Sequence, residues 1–109
     1  MYRVDLHLKG ETTESALYHL KQAIALSRKQ HEKVLCAIVG YGSRGGTHKI
    51  QTAVLQELAV LKEKKQVKDY IIGSDMDLFS PRYQQLKGKE WIPEEVKRAK
   101  NPGEVIIIL

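Results

Sequence analysis

Val34-Leu35-Cys36-Ala37-Ile38-Val39-Gly40-Tyr41-Gly42-Ser43-Arg44-Gly45-Gly46-Thr47-His48-Lys49 is the stretch from which the fold is read. Its first six residues are a continuous apolar run, short enough for a strand buried on both faces. Half of the chain's 8 glycines follow at once, between positions 40 and 46. From Thr47 the pattern turns helical, with Ile50, Ala53, Val54, Leu58 and Leu61 on one stripe and Lys62-Glu63-Lys64-Lys65 closing it. Strand, glycine turn, helix is the first half of a βαβ unit, so a parallel sheet is expected.

The glycine loop itself reads in two ways. Clustered glycines let the backbone take φ > 0 and turn its amides toward one point, and a helix starting beyond them adds unpaired N–H groups and a positive dipole end. Arg44, His48 and Lys49 bring side-chain charge to the same place. Together Gly40, Tyr41, Gly42, Ser43, Arg44, Gly45, Gly46, His48 and Lys49 are a candidate cradle for phosphate. The bland alternative is a tight connection. The stretch matches neither GxGxxG nor GxxxxGK[ST].

Outward from this unit the same alternation continues. Tyr2-Arg3-Val4-Asp5-Leu6-His7 alternates apolar and polar residues as a half-buried strand does. Thr12 is a good N-cap, and Ala16, Leu17, Leu20, Ala23, Ile24 and Ser27 follow helical spacing to about Gln30. Val67 to Ile72 predicts a third strand, and Val105-Ile106-Ile107-Ile108-Leu109 a fourth. Pro81, Gly88, Pro93, Asn101, Pro102 and Gly103 break the segment 73–103, which is expected to be an irregular insertion. Within it, Pro93-Glu94-Glu95 has the look of a short helix's first turn.

Composition sets bounds. At 109 residues the chain is one domain with a single modest core. The apolar share is 42% and the mean hydropathy is −0.37, with no run near the ~20 residues of a membrane span. No membrane partner is expected, and without a signal-peptide core the cytoplasm is the expected compartment. Cys36 is the only cysteine, which excludes an internal disulfide and favours a buried, inert thiol. The net charge of +5 makes an anionic partner credible. The oligomeric state is not legible.

Asp5 and His7 stand at i and i+2, so on a strand they project from one face. Their place near the carboxyl end of the first strand is the edge from which the glycine loop also leaves, and ligands bind at that edge in open α/β sheets. An Asp beside a His orients the imidazole and raises its basicity, as a general-base pair requires. The bland reading makes Asp5 a turn cap and His7 a surface residue. Asp75 and Asp77 offer carboxylates near the same edge, or a solvated turn. The Lys62–Lys68 cluster reads as a solvated face, and Trp91 as a lid over a core edge. No spacing brings three metal ligands together, His19 and His31 included. No cofactor is expected beyond a divalent metal compatible with phosphodiester hydrolysis.

The ordered set Val4-Asp5-Leu6-His7, Thr12-x-Glu14-x-Ala16-Leu17, Gly40-x-Gly42 after an apolar strand, and Gly103-Glu104-Val105-Ile106-Ile107-Ile108-Leu109 resembles the Smr (small MutS-related) domain. The resemblance covers residues 2–72 and 103–109 in matching order. It implies a βαβαββ sandwich with a four-stranded mixed sheet, similar to the C-terminal domain of translation initiation factor 3. It also implies nucleic-acid binding, to DNA or RNA, with endonuclease activity in several members. Asp5 and His7 match the pair to which catalysis or substrate contact is ascribed, and Gly40 and Gly42 match the GxG of the second motif. Val39 departs from the pattern, standing where many members carry His or Thr, and His7 is followed by Leu8-Lys9-Gly10 instead of directly by glycine. The alternatives are a non-catalytic nucleic-acid or ribosome-binding module, and a protein that binds a small phosphorylated ligand.

Overall fold

Alternation along the strands sorts the interior into two halves, one on each face of a single sheet. The computed structural model describes residues 2–6, 12–40, 49–77, 79–93 and 103–109. Strands β1 (Tyr2–Asp5), β2 (Val34–Ile38), β3 (Asp69–Ile72) and β4 (Glu104–Ile108) form a four-stranded sheet in the order β1-β2-β4-β3. β1 pairs parallel with β2, and β4 is antiparallel to both β2 and β3. The first three strands therefore run the same way, and the mixed α/β sheet is the expected one.

On one face Leu35, Ala37, Val105 and Ile107 meet helices α1 (Thr13–Lys29) and α2 (Lys49–Glu63), which bury Leu20, Ile24, Val54 and Leu58 against them. Truncating one of the fully buried leucines to Ala would cost about 2–5 kcal/mol. Helix α1 starts where its sequence directs. The Thr12 side chain accepts from the Ser15 amide at 3.1 Å, and the Ser15 hydroxyl accepts from the Thr12 amide at 2.9 Å. An ion pair from Lys21 to Glu57, 3.3 Å, ties α1 to α2 across their solvent side.

On the other face Val34, Cys36, Ile71, Ile106 and Ile108 pack under Tyr83, Leu86, Ile92 and Met76. Here the structure adds to the two-layer expectation. The segment expected to be irregular contains a 3₁₀ turn (Gly73–Asp75) and a third helix, α3 (Pro81–Gly88). Ser80 caps α3 by accepting from the Tyr83 amide at 3.3 Å, and Pro81 occupies its first turn, where a missing N–H costs nothing. Pro81 opens this helix; it does not break one. The short helix expected at Pro93-Glu94-Glu95 falls beyond Pro93, outside the described residues.

All three described helices end alike. His31, Lys65 and Glu90 take positive φ of 59°, 61° and 58° just past the last turn. Each donates back into its helix, to the carbonyls of Arg28, Lys62 and Lys87, and the next residue's amide reaches one residue further back, to those of Ser27, Leu61 and Leu86. These are Schellman turns with a side chain where glycine is usual. They gather at the sheet's amino edge, where β2 and β3 begin, opposite the edge at which β2 gives way to Gly40.

Candidate nucleic-acid interface at the carboxyl edge

Three strand ends build the carboxyl edge. Asp5 closes β1 in register with Ile38, and the Leu6 amide continues the pairing by donating to the Ile38 carbonyl at 2.8 Å. β2 then leaves the sheet through Val39 and Gly40. Both amides donate to the Gly103 carbonyl, at 2.7 and 3.0 Å, so the turn is anchored to the start of β4. Gly40 has φ of 70°, a conformation that charges a side chain about 1–2 kcal/mol. The glycine at position 40 thus has a local cause. The structure brings Asp5 and Gly40 to one edge, on adjacent strands.

Asp5 is exposed, while its neighbour Leu6 is fully buried in the helix-side core. Its face is the one opposite α1 and α2, which it shares with Arg3, Cys36 and Glu104 through the strand registers. Lys49, also exposed, opens α2. Because α2 runs back from the end of β2 to the start of β3, Lys49 belongs to the carboxyl-edge end of its helix. That first turn carries no acidic residue to offset the positive dipole end. His7, Tyr41, Gly42, Ser43, Arg44, Gly45, Gly46 and His48 lie outside the described residues.

Two residues of this face escaped the sequence reading. Glu104 is buried in a strand otherwise made of Val and Ile, a costly position for a carboxylate without partners. It has them. Arg3 Nη1 lies 3.6 Å from Glu104 Oε1, and the Cys36 thiol donates to Glu104 Oε2 at 3.5 Å. Arg3 is itself 55% exposed, so a guanidinium held from below presents its outer side to solvent two residues before Asp5. The signals were there: Arg3 and Asp5 alternate on one strand face, and Glu104 is the one charge opening an apolar run.

The same contacts settle the cysteine. Burial pushes the Cys36 thiol up to about 12, the charge and hydrogen bond of Glu104 add to the rise, and Arg3 opposes it. Such a thiol stays protonated and is no nucleophile. Val39 is 2% exposed and part of the helix-side core, so position 39 offers no polar group to the edge. Asp77 accepts from the Phe79 amide at 3.0 Å, a turn-forming role, while Asp75 closes the 3₁₀ turn in solvent. Among the described residues no three His, Cys, Asp or Glu side chains gather as a metal site, and no described helix is long and apolar enough to cross a membrane.

No family model and no curated protein sequence matches the chain. Among solved structures, the Smr domain of MutS2 from Thermus thermophilus is similar over 100% of this chain and 98% of its own length. The TM-score is 0.61 at 19% sequence identity. At that identity the likeness is one of fold, and the fold of this chain is Smr-like.

Proposed function

We propose that the chain binds nucleic acid across the carboxyl edge of β1 and β2, and that Asp5 takes part there in phosphodiester hydrolysis. The observation that carries the reading is an exposed carboxylate at the end of β1, one strand from the Gly40 turn, on a fold matched end to end by an Smr domain. The positive net charge and the uncompensated first turn of α2 at Lys49 supply attraction for phosphate. Arg3, supported by Glu104, adds a cation to the face that bears Asp5. In the hydrolytic step a water oxygen bonds to phosphorus as the bond to the leaving sugar oxygen breaks. The water's proton passes to a base, for which the sequence offers His7 oriented by Asp5, and the leaving oxygen takes a proton in turn.

One observation favours a second reading, a binding module without catalysis. Val39 is buried in the core where many Smr sequences place a polar residue. The two readings part at Asp5→Asn, assayed on single-stranded RNA and branched DNA with and without a divalent metal. Loss of cleavage at preserved affinity supports hydrolysis; no cleavage by the wild type on any of these substrates, with binding intact, supports the module.

A further inference from the structure

The opposite, amino edge of the sheet carries a concave surface. A groove of about 520 Å³ opens between the C-terminal turns of α1 and α3 and the strand ends beside them. Arg28, Lys33 and Lys68 line it together with Trp91, and Ile108 contributes an apolar wall. The Lys89 ammonium lies 4.6 Å from the centroid of the Trp91 ring and that of Lys68 lies 5.8 Å away. Glu32 and Glu90 also line the groove, and the cations around it outnumber them.

Part of this charge has a local cause. Arg28 sits in the last turn of α1 and Lys87 in that of α3, where cations offset the negative helix end. Lys33 and Lys68 have no such role, because they belong to neither helix; each directly precedes a strand and is exposed. Backbone bonds fix both positions. The Lys33 carbonyl accepts from the Leu109 amide at 3.0 Å, and the Lys68 amide donates to the Ile108 carbonyl at 2.8 Å. Trp91 is half-buried, packed against Ile92 and its neighbours, and so keeps part of a large flat ring in the groove. Cations spaced around an aromatic surface suit a chain of phosphates whose bases are free to stack. A duplex holds its bases inside and cannot use the ring.

We propose that this groove is a binding site for single-stranded nucleic acid, with phosphates on Arg28, Lys33 and Lys68 and a base stacked on Trp91 in place of a lysine ammonium. It is distinct from the carboxyl edge and does not depend on the function proposed there. Trp91 is the only tryptophan of the chain, so its emission reports this groove directly. The experiment titrates the intact chain with an oligothymidylate of about 12 nucleotides, following Trp91 emission and the anisotropy of the labelled oligomer. Saturable quenching is expected. The double substitution Lys33→Glu, Lys68→Glu, both at exposed side chains, is expected to weaken the quenching transition by about tenfold or more at unchanged Tm. Binding by anisotropy without quenching overturns the proposal and leaves the carboxyl-edge reading standing. Quenching that thymidine monophosphate produces at the same concentrations as the oligomer overturns it in favour of a mononucleotide pocket. Quenching unmoved by the double substitution overturns it as well.

Discussion

Arg82 Nη2 donates to Asp69 Oδ1 at 2.6 Å, and this contact fastens α3 to the edge strand β3. The same Nη2 also reaches the Tyr70 carbonyl at 2.6 Å, so the guanidinium covers part of the strand's open hydrogen-bonding edge. Lys62 of α2 approaches Asp69 Oδ1 at 3.2 Å. One carboxylate, 3% exposed, therefore joins the helix layers of both faces around the end of the sheet.

This junction makes stability acid-sensitive in a defined direction. Burial alone would raise the Asp69 pKa, but the hydrogen bond from Arg82, the Tyr70 amide and Lys62 outweigh it and hold the carboxyl below its ordinary value of 3.8. A depressed carboxylate contributes stability that is complete above that ordinary value and lost as pH falls through the folded-state value. Asp69→Asn is expected to cost about 2 kcal/mol near neutrality and to flatten the loss of Tm below about pH 4. Thermal melts of both proteins from neutral pH into acid check the sign. Equal acid slopes would remove Asp69 from this role.

Backbone conformation predicts two substitutions of opposite sign. Lys65 is exposed and holds φ of 61° in its Schellman turn, so Lys65→Gly is expected to stabilise the chain by up to about 1 kcal/mol. Gly40→Ala, at φ of 70°, is expected to destabilise by about 1–2 kcal/mol. Urea midpoints measure both. A destabilised Lys65→Gly would mean that the lysine side chain outweighs the strain.

Ser27 Oγ is buried and has no hydrogen-bond partner. Ser27→Ala removes an unsatisfied buried hydroxyl from the last turn of α1 and is expected to raise stability by about 0.5–1 kcal/mol, read from the same urea midpoints.

Cys36, with its thiol raised to about 12, is expected to resist alkylation in the folded chain at pH 8 and to react fully after denaturation. Rapid modification of the native chain would contradict the buried Cys36–Glu104 contact.

The elements legible in the sequence were those that carry a strong period. The apolar runs of β2 and β4 and the stripes of α1 and α2 reported the helix-side core directly, and Thr12 marked its cap. α3 was not legible because a single turn separates its buried residues, Tyr83 and Leu86, and the rest of the helix is polar. Too little apolar repeat exists there for a period to show, although Ser80-Pro81 held a start signal. The Asp69–Arg82 junction was invisible because nothing in local spacing pairs residues thirteen apart on different elements. At the carboxyl edge, alternation was enough to place Asp5, and the structure supplied the reason for Gly40. Arg3 and Glu104 meet only through the pairing of β1, β2 and β4, which strand order decides.

The most direct test of nucleic-acid binding at the carboxyl edge is the salt dependence of affinity for duplex DNA and RNA oligomers, which cannot stack on Trp91 at the amino edge, measured by anisotropy. The wild type, Arg44→Ala and Lys49→Ala are compared. For the wild type, log Kd against log salt is expected to be steep, and each substitution is expected to weaken binding to every sequence and flatten the slope by about one unit. Wild-type affinity and slope in both variants would contradict the assignment of this edge as the phosphate-binding surface.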